Sequence, residues 1–194
     1  MQVLAFIGSP RKKGNTETLL EAVRRGVVRA GGQVETIRLC ELKINPCTGC
    51  GGCDRTGVCV QEDDMTQLYG KIIAADRVVV ASPIYFYGIT AQAKAFVDRC
   101  QALWCRKYLL TQHGEWRDDP QRRGFFVSVA GTKGARVFDG AILTLKYGFD
   151  AMGFHYGGDF LVKRIDSLGD MAKHPDTLAE AEEAGFQFIK KSEK

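Results

Sequence analysis

The stretch Val3-Leu-Ala-Phe-Ile-Gly8-Ser-Pro-Arg-Lys-Lys-Gly14-Asn-Thr16 decides the fold of this chain. A short apolar run, typical of a buried strand, is followed by a basic loop with two glycines and then by the apolar face of a helix. That face comprises Leu19, Leu20, Val23, Val27 and Val28. The order of strand, loop and helix is typical of α/β proteins with a parallel sheet.

The rest of the chain continues the alternation of strands and helices. Further strands are predicted at residues 34–39, 77–81 and 125–130, with strand-like pieces at 154–156 and 160–162. Helices are predicted after a cap at Asp63 or Asp64, at 90–106, at 136–152 and from Pro175 to about Lys190. This pattern predicts a three-layer α/β fold whose five-stranded parallel sheet has the order 2-1-3-4-5.

Length and composition predict one domain spanning residues 1–194, because 194 residues with 45% hydrophobic content can bury a substantial core. The chain shows no signal-peptide pattern and no apolar run of membrane-spanning length, so a cytoplasmic location is expected. The net charge of +4 is spread along the chain, so neither a nucleic acid nor a membrane is an expected partner. The polar segment at about 111–123 predicts an inserted loop.

The loop after the first strand predicts a phosphate site. It offers backbone amides, hydroxyl groups, the Asn15 amide and three cations next to the N-terminus of a helix, whose dipole attracts anions. The loop is not a P-loop, because five residues separate its glycines and Asn15 stands where the lysine is required. It also lacks the G-x-G-x-x-G fingerprint, so a monophosphate fits better than a pyrophosphate.

Two further loops follow strands at the same predicted edge of the sheet. Ser82-Pro-Ile-Tyr-Phe-Tyr-Gly88 carries three aromatic residues in a row. On a loop, such rings can line a flat ligand; the alternative is that they pack on the following helix or at a subunit contact. Ala130-Gly-Thr-Lys-Gly134 adds a loop rich in free backbone. A phosphate site at one loop and a planar ring between the other two predict bound FMN.

Four cysteines lie within thirteen residues, Cys47-Thr-Gly-Cys50-Gly-Gly-Cys53-Asp-Arg-Thr-Gly-Val-Cys59. Four thiolates on so short and glycine-rich a loop can face one point, as an iron–sulfur cluster requires. A zinc site, a disulfide or a cysteine loop without a cluster are the alternatives. Cys100 and Cys105 lie five residues apart on one helix and are not expected to share a ligand, and Arg99 is expected to hold helix contacts.

Three stretches of the chain resemble the iron–sulfur flavoprotein family. They are the loop at residues 8–16, the cysteine segment at residues 47–59 with the following Val60-Gln-Glu-Asp-Asp-Met65, and Ser82-Pro-Ile-Tyr-Phe with Ala91-Gln-Ala-Lys-Ala-Phe-Val-Asp-Arg99. That family belongs to the NAD(P)H-dependent FMN reductases with a flavodoxin-like fold, and the resemblance covers nearly the whole chain. It implies phosphate contacts at Ser9, Arg11, Gly14, Asn15 and Thr16, although a serine is frequent in the family at position 14. It implies isoalloxazine contacts at Pro83, Ile84, Tyr85 and Phe86, completed by Gly131 and Thr132. It implies cluster ligands at Cys47, Cys50, Cys53 and Cys59.

The function that the resemblance implies is an FMN-dependent oxidoreductase. Electrons would come from ferredoxin or NAD(P)H, through a 4Fe-4S cluster, and pass to a quinone, a flavin or an oxygen species. The alternative is a non-catalytic electron carrier or redox sensor of flavodoxin type with a cluster-free cysteine loop. No catalytic acid or base is predicted, since FMN carries the redox chemistry. A homodimer or homotetramer is expected, with cluster and flavin facing one another across a subunit interface.

Overall fold

The computed structural model describes residues 1–190, so the last four residues of the predicted domain lie outside the described part. Its strands are β1 (Gln2–Ile7), β2 (Gln33–Arg38), β3 (Arg77–Ala81), β4 (Arg123–Ala130) and β5 (His155–Lys163). They form one parallel sheet in the order β2-β1-β3-β4-β5. The predicted fold class and strand order are confirmed.

Helices cover both faces of the sheet. They are α1 (Asn15–Arg29), α2 (Met65–Ala74), α3 (Ala91–Arg99), α4 (Gln101–Gln112), α5 (Asp139–Ala151) and α6 (Pro175–Lys190). One hydrophobic core joins α1 and α6 to the sheet, and a second core joins α2 to α5 to the opposite face. Every residue of β3 and β4 is buried, as expected for central strands covered on both faces. Within residues 1–190, no helix combines the length and apolar character needed to cross a membrane.

Two glycines let α1 and α6 pack backbone against backbone. A Cβ atom added to Gly26 would lie 1.8 Å from the carbonyl oxygen of Glu182, and one added to Gly185 would lie 2.1 Å from that of Val23. No side chain fits at either position without separating the helices. The glycines therefore fix how closely α6 supports the helix that follows the predicted phosphate loop.

Several predicted boundaries were wrong. The single helix at 90–106 is two helices, because tight i to i+3 hydrogen bonds at Cys100 end α3 and redirect the chain into α4. The inserted loop is shorter than 111–123, since α4 continues to Gln112 and β4 begins at Arg123. The two pieces at 154–156 and 160–162 form one strand, β5, interrupted by a bulge opposite Gly124 and Phe126. Val28 is half exposed and lies outside the apolar face of α1.

Candidate functional site

The loops after β1, β3, β4 and β5 meet at one edge of the sheet because all strands run in the same direction. Two adjoining cavities of about 100 and 240 Å³ lie there and share Ile84 and Gly131 as lining residues. The smaller one is also lined by every predicted phosphate-loop residue and by Pro83 and Tyr85. Phe86 and Thr132 line the larger one. All predicted cofactor-contacting residues therefore lie around this pair of cavities.

The phosphate loop presents an uncapped helix N-terminus to the smaller cavity. Gly14 is the N-cap of α1 and has no side chain to accept from the N–H groups of the first turn. Ser9 accepts a hydrogen bond from the backbone N–H of Arg11 at 3.3 Å. Thr16 is a buried residue, and its hydroxyl has no hydrogen-bond partner among residues 1–190. The loop thus keeps several donors available for an anion.

Asn15 has a role that the sequence did not indicate. Its Nδ2 donates to the carbonyl oxygen of Ser167 at 2.8 Å, and its Oδ1 accepts from the backbone N–H of Met171 at 3.1 Å. The side chain therefore fastens the segment after β5 to the start of α1. The backbone N–H of Asn15 and the second hydrogen on its Nδ2 remain for the predicted phosphate contact.

The aromatic loop ends in a strained turn. Tyr85 and Gly88 exchange two backbone hydrogen bonds of 2.9 and 3.0 Å, and the residues between them, Phe86 and Tyr87, have positive φ angles of 49° and 64°. Glycine or asparagine normally occupies such positions in two-residue hairpin turns. The Phe86 ring is fully exposed. A strained backbone that holds an aromatic ring in solvent is typical of a ligand or partner contact.

The segment after β5 contributes two residues that the sequence analysis missed. Ile165 and Asp166 line the smaller cavity, and a Cβ atom added to Gly131 would lie 2.9 Å from Oδ1 of Asp166. Gly131 therefore allows the loops after β4 and β5 to approach each other. The residues were missed because the bulge divided β5 into two short patterns, which hid where the strand ends.

The four motif cysteines line a second site, a cavity of about 170 Å³ between their loop and the start of α4. Gly49, Gly51 and Gly57 have positive φ angles near 70°, which allow the sharp turns that direct the four side chains to one cavity. No disulfide joins any of the seven cysteines. Four cysteines around one cavity supply the thiol ligands that an iron–sulfur cluster uses. Within residues 1–190, the metal-ligating atoms that lie within 4.8 Å of one another are those of Cys53, Asp54 and Cys105.

Cys105 of α4 also reaches the cysteine site, which nothing in the sequence had indicated. Its Sγ lies 3.7 Å from Sγ of Cys53 and 3.5 Å from Oδ1 of Asp54. Burial, together with the neighbouring Cys105 thiol, raises the pKa of Cys53 to about 12. Cys100 instead lies in the core, so the prediction that the two cysteines do not share a site agrees with the structure.

A buried ion pair fastens both ends of the cysteine loop. Arg99 donates to both carboxylate oxygens of Asp63, at 2.7 and 3.2 Å, and to the carbonyl oxygens of Asn45 at 2.9 Å and Gln61 at 3.3 Å. Burial would raise the pKa of Asp63, but hydrogen bonds from Arg99 and from the backbone N–H groups of Asn45 and Met65 outweigh it and lower the pKa. The end of α3 therefore determines where the loop begins and ends.

A further cavity of about 450 Å³ is an open groove between α3, α4 and α5, and it shares no lining residue with the two cavities at the edge of the sheet. Beside it lies the α4–α5 surface, defined by the exposed side chains of Trp104, Tyr108, Leu143 and Tyr147. Gln101 lines both the groove and the cysteine cavity. The α4–α5 surface therefore adjoins the cysteine site.

Comparison with known proteins agrees with these features. Residues 1–152 match a family described as NADPH-dependent FMN reductase. An iron–sulfur flavoprotein of Methanosarcina thermophila is 29% identical over 194 residues, covering 100% of this chain and 92% of that protein. An iron–sulfur flavoprotein of Archaeoglobus fulgidus is 40% identical over 114 residues, covering 59% of this chain and 52% of that protein. The chain thus spans about half the length of several curated relatives that it matches.

A flavin enzyme and a solved structure extend the comparison. An FMN-dependent NADH:quinone oxidoreductase of Opitutus terrae is 33% identical over 125 residues, covering 61% of this chain and 58% of that protein. The structure of an NAD(P)H:quinone oxidoreductase from Methanothermobacter marburgensis superimposes with a TM-score of 0.72 at 16% identity, covering 99% of this chain and 98% of that one. At that identity the structural match shows the flavodoxin-like fold alone.

Proposed function

Because the chain belongs to the NADPH-dependent FMN reductase family, we propose that it is an FMN-dependent oxidoreductase with ferredoxin or NAD(P)H as electron donor. The acceptor in this proposal is a small molecule: a quinone, a flavin or an oxygen species. The observation that carries the proposal is the pair of adjoining cavities at the edge of the sheet, one beside a helix N-terminus and the other beside exposed aromatic rings.

The residues around the smaller cavity suit the phosphate of FMN. The uncapped first turn of α1 and the Thr16 hydroxyl supply donors that lack partners among residues 1–190, and Arg11 supplies a cation. Ile84 lies at the junction of the two cavities, and Tyr85 and Phe86 flank it, so these side chains suit a planar ring system. FMN, when bound, supplies the redox chemistry and can exchange either one or two electrons. The chain supplies binding and orientation.

The cysteine site is proposed to hold a 4Fe-4S cluster ligated by Cys47, Cys50, Cys53 and Cys59. Support comes from the shared cavity of the four side chains and from relatives described as iron–sulfur flavoproteins. A cluster supplies one-electron transfer and so suits a ferredoxin donor. A cytoplasmic location belongs to the same proposal, because a reducing compartment keeps seven cysteines free for metal binding.

We also propose that the protein is a homodimer or homotetramer that pairs through the α4–α5 surface. Four large exposed apolar side chains there would lose contact with water in such an interface. Gln101 connects this surface with the cysteine cavity, so a second copy would lie beside the cysteine loop. In this proposal, electrons pass from the cluster of one copy to the flavin of another. An active, cluster-loaded monomer, measured by light scattering, would contradict it.

The test combines composition with turnover. Anaerobically prepared protein is assayed for flavin, iron and sulfide, and then for oxidation of NADH, NADPH and reduced ferredoxin with a quinone, free FMN or oxygen as acceptor. The proposal expects bound FMN and turnover with at least one donor. Bound FMN without any turnover would favour a flavodoxin-type electron carrier. FMN without iron would remove the cluster and retain the flavin reductase.

A further inference from the structure

Arg99 places a buried positive charge in the wall of the cysteine cavity. Its side chain is 0% exposed, and it lines the same cavity as the four motif cysteines. A guanidinium removed from water is unfavourable unless charges and hydrogen-bond acceptors surround it. The groups around Arg99 therefore show how this buried charge is stabilised.

The hydrogen bonds of Arg99 account for its two terminal nitrogens only. Nη1 and Nη2 donate to Asp63 and to backbone carbonyl oxygens at the two ends of the cysteine loop. Nε is buried and has no acceptor in the described part of the chain. A buried donor without an acceptor is unfavourable and normally indicates a missing partner. Nε is enclosed by the protein, so what Arg99 offers an occupant of the cavity is its charge and its hold on the two ends of the loop.

Cys59 lines the same cavity as this guanidinium. An arginine side chain stays protonated in proteins. The Tyr69 hydroxyl in turn donates to the backbone carbonyl oxygen of Arg99 at 3.0 Å. The positive charge is therefore permanent, and its surroundings include a motif cysteine.

We propose that Arg99 is a positioning residue for an anionic, thiolate-ligated cluster in the cysteine cavity. Its Nη groups hold both ends of the loop. Its charge offsets the negative charge that four thiolates bring. This inference rests on the proposed cluster and adds a residue outside the cysteine motif to the determinants of cluster retention and reduction potential.

The proposal predicts opposite effects of the two members of the ion pair. Net charge and hydrogen bonds to sulfur determine the reduction potential of a cluster. Loss of the Arg99 cation disfavours the more negative reduced state and lowers the midpoint potential. Loss of the Asp63 carboxylate charge has the reverse effect. A residue that only held the loop in shape would not give shifts of opposite sign.

The experiment compares wild type with Arg99→Met, Arg99→Lys, Asp63→Asn and the control Lys71→Met. Lys71 pairs with Glu35 on the protein surface, so its replacement removes one positive charge away from the cavity. Each anaerobically reconstituted protein is assayed for iron, sulfide and flavin, and the midpoint potential is measured by a redox titration followed by electron paramagnetic resonance. Circular dichroism and flavin content establish that each variant is folded.

Arg99→Met is expected to lose several-fold in iron and sulfide and to shift the midpoint of the remaining cluster to lower potential. Arg99→Lys is expected to give a smaller shift of the same sign, Asp63→Asn a shift to higher potential, and Lys71→Met no change. If Arg99→Met does not fold, Arg99→Lys and Asp63→Asn decide by the signs of their shifts. Unchanged midpoints, or shifts in the same direction, would overturn the proposal and leave the cluster intact. A wild-type protein without iron and sulfide would overturn both.

Discussion

Replacing Asn15 and Thr16 separately should distinguish the structural role of the phosphate loop from its ligand-binding role. Asn15→Ala removes two hydrogen bonds, to the Ser167 carbonyl oxygen and from the Met171 N–H. Ser167 is exposed and its carbonyl can bind water, whereas Met171 is buried and its N–H is left unpaired. About 1 kcal/mol for the first and about 1–3 kcal/mol for the second give a loss of about 2–4 kcal/mol of unfolding free energy.

Thr16→Val should leave the stability of the protein nearly unchanged and weaken the binding of FMN. The Thr16 hydroxyl has no partner among residues 1–190, so an isosteric valine should leave the unfolding free energy within about 0.5 kcal/mol of wild type. If the hydroxyl donates to the FMN phosphate, its loss removes a charge-assisted hydrogen bond of about 1.5–3 kcal/mol. The dissociation constant of FMN should then rise roughly 10- to 100-fold.

Two measurements on the same preparations test this prediction. Thermal unfolding of flavin-free protein gives stability, and Asn15→Ala should lower the midpoint by roughly 5–15 °C. Titration of FMN, followed by its fluorescence, gives affinity. An Asn15→Ala protein as stable as wild type would refute the structural role of the Asn15 amide. A Thr16→Val protein with unchanged FMN affinity would refute the assignment of Thr16 to the phosphate.

Three further predictions concern the aromatic turn and the cysteine site. Phe86→Gly should raise the unfolding free energy of flavin-free protein by up to about 1 kcal/mol, because it relieves a positive φ angle and removes no packing. The same change should weaken the binding of FMN or quinone. A loss in thermal stability would contradict the prediction. Cys105→Ala should lower the pKa of Cys53 from its raised value, measured by the pH dependence of its alkylation in metal-free protein, and an unchanged profile would count against the contact. Since the folded pKa of Asp63 is lowered, its contribution to stability is complete above about pH 4 and is lost as pH falls through the folded pKa. Acid titrations of the unfolding free energy should therefore be flatter in Asp63→Asn, and parallel curves would argue against the Arg99 ion pair.

The fold and the flavin edge could be predicted from sequence because both depend on local patterns. The apolar run, the loop and the helix at the start of the chain identify a parallel α/β unit. The direction of the strands then requires the loops after β1, β3 and β4 to meet. The cysteine spacing predicted that four thiolates face one point; the four residues line one cavity, and their role as cluster ligands stays a prediction.

Features that depend on contacts between distant parts of the chain could not be predicted. Cys105 meets Cys53 across 52 positions, and Arg99 meets Asp63 across 36. Both contacts require the break at Cys100, where hydrogen bonding turns a predicted single helix into two. The pattern of apolar residues does not show this break, since hydrophobic residues on both sides of it are buried.

The contact of α1 with α6 through Gly26 and Gly185 shows that the folding unit extends beyond the residues that the family match covers. The family match ends at residue 152, before β5 and α6. A fragment cut at that point would retain the phosphate loop and the cysteine motif but would expose the apolar face of α1 that α6 covers. An expressed fragment or a transplanted domain that is meant to preserve flavin binding should therefore include residues 153–190, although the family match does not reach them.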